Sequence, residues 1–369
     1  MTADGSPVVV PVGDNPARLW GLTPLERLRR MAAAEGMGLG GGGPGLLANL
    51  GFVFDTAWLR WAAENPGHAV TRGGAIALAH CRDAAEAAAV EKAMAEGLPA
   101  PAGMEIVAQE RFGALHNERL RKREQPFLEP LTEANARSIE RTSYYASYKG
   151  VTDLLTKYLW PEWALALTRG AARLGISPNL VTLVGAALCV AAGVAFYEGW
   201  YWTGLAAGLA FMVLDTVDGK LARCTITSSR IGDRLDHGID LVHPLIWWWA
   251  WGEGLYAYGR PLEPGLLVAA MAALAAGYVV QRLVEGMFIL RFKIDIHVWK
   301  KPDSTFRLVT ARRNPNMVIL FAALLLGYPD YGLLAVATWT ILSCAFHVVR
   351  LIQAEASRSR GSKVESWLQ

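Results

Sequence analysis

The chain has 369 residues, 53% of them hydrophobic, with a mean hydropathy of +0.23 and a formal net charge of +3. So small a positive excess gives no electrostatic basis for a nucleic-acid partner, and the hydrophobic content is high for a soluble protein. Four cysteines, Cys81, Cys189, Cys224 and Cys344, stand far apart with no CxxC pair, so neither a disulfide framework nor a zinc site is indicated and a reducing compartment fits.

The opening MTADGSPVVVPVGDNP lacks a basic segment followed by an apolar core, so no cleaved signal peptide is expected and membrane insertion falls to internal helices. Val8 to Val12 form a β-branched run that predicts a strand, and TPLERLRRMAAAEG from Thr23 predicts a helix. A second apolar run, LLANLGFVFD, precedes AWLRWAAENPG. Strands alternating with helices predict a small soluble α/β domain over residues 1–130. The glycine run at 38–43 lacks the Lys-Ser/Thr that completes a P-loop and reads as flexible linker. Residues 83–96, alanine-rich with paired charges, read as a solvated helix. The basic stretch ERFGALHNERLRKR at 110–123 reads as a connecting helix near the membrane surface.

Residues 131–175 read as a linker and a juxtamembrane amphipathic helix, because SYYASYKGVTDLLTKYLWPEWALALTRGAARLG combines aromatics, lysines and an apolar face. Lys149 and Lys157 there either meet a substrate phosphate or anchor the helix at the membrane. Residues 176–369 predict an all-α membrane domain with six transmembrane helices, at roughly 178–198, 201–223, 232–252, 264–290, 315–328 and 331–352. The fifth is short for about 30 Å of hydrocarbon. Lys220, Arg223, Arg230 and Arg234 join spans two and three, and Arg291, Lys293, Lys300, Lys301, Arg307, Arg312 and Arg313 crowd the loop after span four. That bias predicts cytoplasmic termini. Trp247 to Trp249 and Trp251 read as an outer interfacial aromatic belt.

Within the second and third spans, Asp215, Asp218, Asp236 and Asp240 recur at steps of three and four, which places carboxylates on one helix face. Carboxylates in apolar spans are costly without cations, at about 2.5–3.5 kcal/mol each at the bilayer centre. Hard oxygen ligands suit Mg2+ or Mn2+, so a divalent metal site between two helices is expected. Gly219, Ala222 and Gly232 keep bulk away from it. Of the other polar residues, Arg282 and Glu285 either face an acceptor or pair with each other, and Arg307, Arg312 and Arg313 are either phosphate ligands or topogenic charge.

Written out, Asp215-x2-Asp218-Gly219-x2-Ala222-Arg223-x8-Gly232-x3-Asp236-x3-Asp240 resembles the complete motif of the CDP-alcohol phosphotransferases, with all eight positions at the family's spacing. The resemblance implies a transferase that moves a substituted phosphate from a CDP-alcohol to an acceptor alcohol and releases CMP, in phospholipid or polar-lipid synthesis. It implies two ions, Mg2+ or Mn2+, held by Asp215, Asp218, Asp236 and Asp240, with Asp240 also the general base. Gly219, Ala222, Arg223 and Gly232 would shape the nucleotide pocket with Asp215 and Asp218. The start of span one, ISPNLVT, also resembles the family and brings Pro178, Asn179 and Thr182 to the nucleotide; a helix cap explains the same residues. Lys157, Arg282, Arg307, Arg312 and Arg313 are the acceptor candidates. The family further implies a homodimer among membrane lipids, in a bacterial-type inner membrane with its active site cytoplasmic.

The loop GDNPARLWGLTPLERL resembles the phosphate-binding start of sugar-nucleotide nucleotidyltransferases at Gly13, Arg18 and Thr23-Pro24. Its glycine turn is reduced to Gly13, and Leu25 and Glu26 replace the expected lysine, which implies a degenerate domain. A chain starting near Leu131 is therefore expected to retain transfer. The two-domain layout resembles bifunctional enzymes that make CDP-inositol and then a di-inositol phosphate, which implies inositol phosphate as acceptor; glycerol phosphate is the alternative, with CDP-diacylglycerol or a CDP-polyol as donor. A divalent cation transporter and an inactive scaffold are the rival readings, and acids gathered at one cytoplasmic edge argue against the former.

Overall fold

The structure is a computed structural model that describes residues 8–40, 45–118, 120–228 and 230–369, without the side chains of 230, 231 and 233–236. The N-terminal region runs β1 (Val8–Val12), α1 (Pro24–Ala34), β2 (Gly38–Leu39), β3 (Leu46–Asn49), β4 (Phe52–Phe54), α2 (Thr56–Glu64), β5 (His68–Arg72), β6 (Ala75–His80), α3 (Ala84–Glu96), β7 (Glu105–Ala108), β8 (Leu115–Asn117), β9 (Lys122–Glu124) and β10 (Leu128–Pro130). A six-stranded sheet takes the order β2-β1-β3-β6-β5-β7, parallel except for β6, which lies antiparallel to both neighbours. Each helix starts where a side chain takes up an orphan backbone N–H: Thr23 accepts from Glu26 N, Asp55 from Ala57 N and Asp83 from Glu86 N. Thr23 with Pro24 is thus a helix start, and Arg18 donates to the Gly21 carbonyl at 3.2 Å. Part of the glycine run at 38–43 is strand β2, and 41–44 lies outside the described residues.

The stretch at 110–123 is a β8–β9 hairpin rather than a helix. Asn117 decides this locally: its Oδ1 accepts the Leu120 N–H at 3.0 Å, a side-chain bond that competes with helical pairing. The juxtamembrane helix is likewise broken into α4 (Ala136–Ala146) and α5 (Pro161–Arg173), because Pro161 cannot continue a helix from the preceding turn.

The rest is helical: α6 (Pro178–Tyr197), α7 (Tyr201–Cys224), α8 (Arg230–Tyr258), α9 (Pro264–Phe292), α10 (Lys301–Phe306), α11 (Arg313–Leu325) and α12 (Pro329–Ser359). Among the described residues three helices, α6, α9 and α12, are long and apolar enough to cross a membrane. At 13 residues, α11 reaches about 20 Å, less than the hydrocarbon core. Trp247, Trp248 and Trp251 are buried between helices, and only Trp249 faces outward, at 51% exposure. The indole N–H groups explain the burial: Trp247 donates to the Cys189 carbonyl at 2.9 Å and Trp251 to that of Pro329 at 3.1 Å, so these rings fill the core with no polar atom stranded.

The two regions share a core. Ala17, Leu19, Trp20 and Val53 from the N-terminal region pack with Ala164, Leu165, Val181, Val217 and Leu221. Arg27 and Arg30 of α1 donate to the carbonyls of Cys224 (3.0 Å) and Thr225 (2.8 Å), capping the C-terminal end of α7 where orphan carbonyls and the negative dipole end favour cations.

Candidate active site

Helix α7 presents Asp215 and Asp218 a turn apart, with Gly219 and Ala222 continuing that face. Asp218 is buried and accepts a 2.6 Å hydrogen bond from Thr182 Oγ1 on α6. Thr182 lies a turn beyond the helix start, where Ser177 is the cap and Pro178 the first helical residue, while Asn179 is exposed. Of the three residues expected there, Thr182 alone is joined to the motif by a side-chain hydrogen bond among the described residues. Arg223 folds back over Gly219, where a Cβ would lie 3.1 Å from Nη2, so glycine makes room for the guanidinium. On α8, Gly232 lies half-buried in the first turn and Asp240 two turns later. The side chain of Asp236 lies outside the described residues.

Arg313, the first residue of α11, joins the two halves of the motif. It donates through Nη2 to Asp215 Oδ2 and through Nη1 to Asp240 Oδ1, both at 2.7 Å. Both carboxylates therefore lie within one guanidinium's span. The next residue, Asn314, donates to Asp153 Oδ1 at 2.9 Å, and Asp153 accepts from Thr156 Oγ1 at 2.8 Å. Burial alone would raise the Asp153 carboxyl; the Arg307 cation and these hydrogen bonds outweigh it and hold the group below its ordinary range.

Asp240 opens on a cavity of about 400 Å³ whose wall includes Arg282, Arg307, Arg312 and Arg313 with Lys149 and Arg121. Arg307 is buried, and its Nε and Nη1 have no hydrogen-bond partner among the described residues. Burial, with the Arg312 cation adding to it, pulls that guanidinium down to about 9. An anion in the cavity would relieve both penalties. Arg282 and Arg312 are committed to Glu285, at 3.1 and 2.7 Å. Lys157 is exposed beside the Tyr158 ring and does not line the cavity. Sequence reasoning missed Asp153, Asn314 and Arg121; only the adjacency of Asn314 to Arg313 carried a signal.

A second cavity of about 750 Å³ runs between α6 and α8, lined by Cys189, Val190, Val194, Ile246 and Trp249 among others, and His243 borders both spaces. Glu285, His297 and His347 also bring ligand atoms within 4.8 Å of one another. Two arginines already neutralise Glu285, and a divalent cation would meet their repulsion, so the trio is an ion-pair network. Asp215, Asp218 and Asp240 offer a different donor set, hard carboxylate oxygens from two helices of the type that suits Mg2+ or Mn2+, with Asp215 and Asp240 joined through the single cation of Arg313.

The acidic motif thus sits in a helical membrane region, between an apolar groove and a basic cavity. Residues 175–349 match the CDP-alcohol phosphatidyltransferase family, and the chain carries a domain of that family. Phosphatidylinositol phosphate synthase of Mycolicibacterium smegmatis is 27% identical over 221 residues, 58% of this chain and 91% of the relative. Cholinephosphotransferase 1 of Rattus norvegicus is 34% identical over 123 residues, 30% of each chain. Phosphatidylinositol phosphate synthase of Streptomyces avermitilis is 38% identical over 93 residues, 24% of this chain and 38% of the relative.

Proposed function

We propose that the chain transfers a phosphatidyl group from CDP-diacylglycerol to the hydroxyl of a phosphorylated polyol, with inositol phosphate the leading acceptor, and releases CMP. The observation that carries this reading is the position of Asp240, between the apolar groove along α6 and α8 and the cavity where Arg307 presents two unpartnered nitrogens. An apolar groove suits acyl chains better than a water-soluble CDP-polyol, and a buried guanidinium selects a phosphate-bearing acceptor. The relatives named as phosphatidylinositol phosphate synthases support the same acceptor.

Asp215, Asp218, Asp236 and Asp240 would hold two divalent ions, which when bound neutralise charge on the donor's diphosphate. Asp240 accepts the proton of the acceptor hydroxyl as its oxygen bonds to the β-phosphorus and the bond to CMP breaks. Arg313 fixes the distance between Asp240 on α8 and Asp215 on α7. Thr182 holds Asp218, and Gly219, Ala222, Arg223 and Gly232 shape the nucleotide pocket. Six membrane crossings, a cytoplasmic site in a bacterial-type inner membrane, a homodimer and a degenerate N-terminal nucleotidyltransferase-like domain over 1–130 complete the reading.

The test is CMP release by the purified chain in lipid vesicles with CDP-diacylglycerol, Mg2+ and inositol phosphate. Release should require all three and should stop with a chelator. Turnover of CDP-choline with diacylglycerol instead would replace this reading with the cholinephosphotransferase type, and metal flux without CMP release would replace it with a transporter.

A further inference from the structure

The β8–β9 hairpin lies outside the segment that matches the family, and it reaches the basic cavity. We propose that this hairpin forms a wall of the acceptor site and that Arg121 is a specificity residue contacting the acceptor's phosphate monoester. The proposal rests on the reading of the cavity as the acceptor site.

Three observations carry it. Arg121 is placed by a built contact: its backbone takes φ +50°, a left-handed conformation uncommon outside glycine, and it is clamped there. The Gly150 N–H donates to the Leu120 carbonyl at 2.8 Å, and a Cβ at Gly150 would lie 2.7 Å from the Arg121 carbonyl oxygen and 2.7 Å from Lys122 Cβ. No larger residue fits at 150 with the hairpin seated. Lys122 Nζ also donates to the Ala146 carbonyl, and Arg123 Nη1 to that of Gln369 at 3.3 Å.

The side chain, in turn, is aimed. Arg121 Nη2 meets Asp295 Oδ2 at 2.9 Å on the cavity wall. A guanidinium has five N–H donors in a planar fork, so one carboxylate contact orients it and leaves donors for an anion. The charge balance favours one as well. Six cations line the cavity, Arg121, Lys149, Arg282, Arg307, Arg312 and Arg313, against the four carboxylates of Asp153, Asp240, Glu285 and Asp295. With Asp215 also meeting Arg313 at 2.7 Å, one positive charge is left in excess, which favours an anionic group such as a phosphate monoester. Arg307, buried with two unpartnered nitrogens, would take the inner side of that phosphate and Arg121 the outer side.

The experiment is calorimetry of inositol phosphate and glycerol phosphate binding to the full chain in detergent, with acceptor and donor KM measured beside it. Arg121→Gly suits the left-handed backbone, so it folds and removes only the side chain. It should weaken phosphorylated acceptors roughly 10- to 100-fold, as loss of a charge-assisted hydrogen bond does, and leave the CDP-diacylglycerol KM unchanged. Arg121→Lys should recover part of the loss. Asp295→Asn keeps an acceptor oxygen for Nη2 and keeps the cation, so it should weaken the acceptor less than Arg121→Gly; if it matches Arg121→Gly, the arginine is only an anchor and the proposal falls. Arg307→Gln separates the two levels. If it weakens the acceptor and Arg121→Gly does not, the hairpin proposal fails alone. If neither does, or if the wild type binds neither compound, the acceptor reading fails and takes the proposal with it.

Discussion

At the scale of single residues, roles that share one charge type divide by their partners. Asp215 and Asp240 both meet Arg313, yet Asp240 is 45% exposed toward the basic cavity and Asp215 17%. The proton acceptor belongs where the acceptor hydroxyl arrives, so Asp240→Asn should keep most CDP-diacylglycerol binding and lose about 10² to 10⁴ in single-turnover rate. Asp215→Asn should weaken metal and donor binding together. Equal loss of donor affinity in both, by calorimetry with Mg2+, would make Asp240 chiefly a ligand. His297 yields a pH prediction. Burial lowers it to about 4, partly offset by Glu285 and Asp295, and the Arg312 cation, whose Nη2 lies 3.2 Å from His297 Nε2, adds to the lowering. Above the ordinary histidine value near 6.5 it contributes no pH dependence; as pH falls from there to about 4 the unfolded chain binds a proton that the folded chain refuses. Stability should therefore drop over that window, by up to about 1.4 kcal/mol per pH unit. Thermal unfolding at pH 7.5 and pH 5 checks it, and His297→Gln should reduce the difference.

At the scale of elements, helix packing follows small residues, because lipid gives apolar side chains little reason to leave it. Gly254 on α8 shows the closest approach: a Cβ there would lie 1.9 Å from the Phe196 carbonyl oxygen and 3.1 Å from Gly199 N, all backbone that cannot swing aside. Gly254→Ala should destabilise by about 1–3 kcal/mol or more, the cost of overpacking a closed interface. Gly286→Ala on α9, where nothing lies within 4 Å, should be neutral or gain up to about 1 kcal/mol from helix propensity. Similar melting temperatures for the two variants would refute the packing account.

At the scale of the whole molecule, the N-terminal region packs onto the helical region. The shared core and the capping of α7 by Arg27 and Arg30 argue against the expectation that a chain starting near Leu131 keeps its activity. Truncation at that point would strip Trp20, Leu19 and Val53 from α5 and α7, so CMP release and melting temperature should both fall; an unchanged melting temperature would show the contacts to be incidental. Arg27→Ala should cost about 1–3 kcal/mol by leaving the buried Cys224 carbonyl without its donor. The sequence by itself determined the carboxylate motif, the helical character of 178–359 and the strand-helix alternation before it, because these rest on spacings of two to four residues that any helix or strand reads locally. It could not decide that 110–123 folds as a hairpin, that Trp247, Trp248 and Trp251 point inward, or that Arg282 and Arg312 are spent on Glu285 while Arg307 stays open to the cavity. Those depend on partners far along the chain, as with Arg313 and Asp215, 98 residues apart. Only the packed structure brings such groups within ion-pair distance, and local periodicity carries no record of which cation meets which acid.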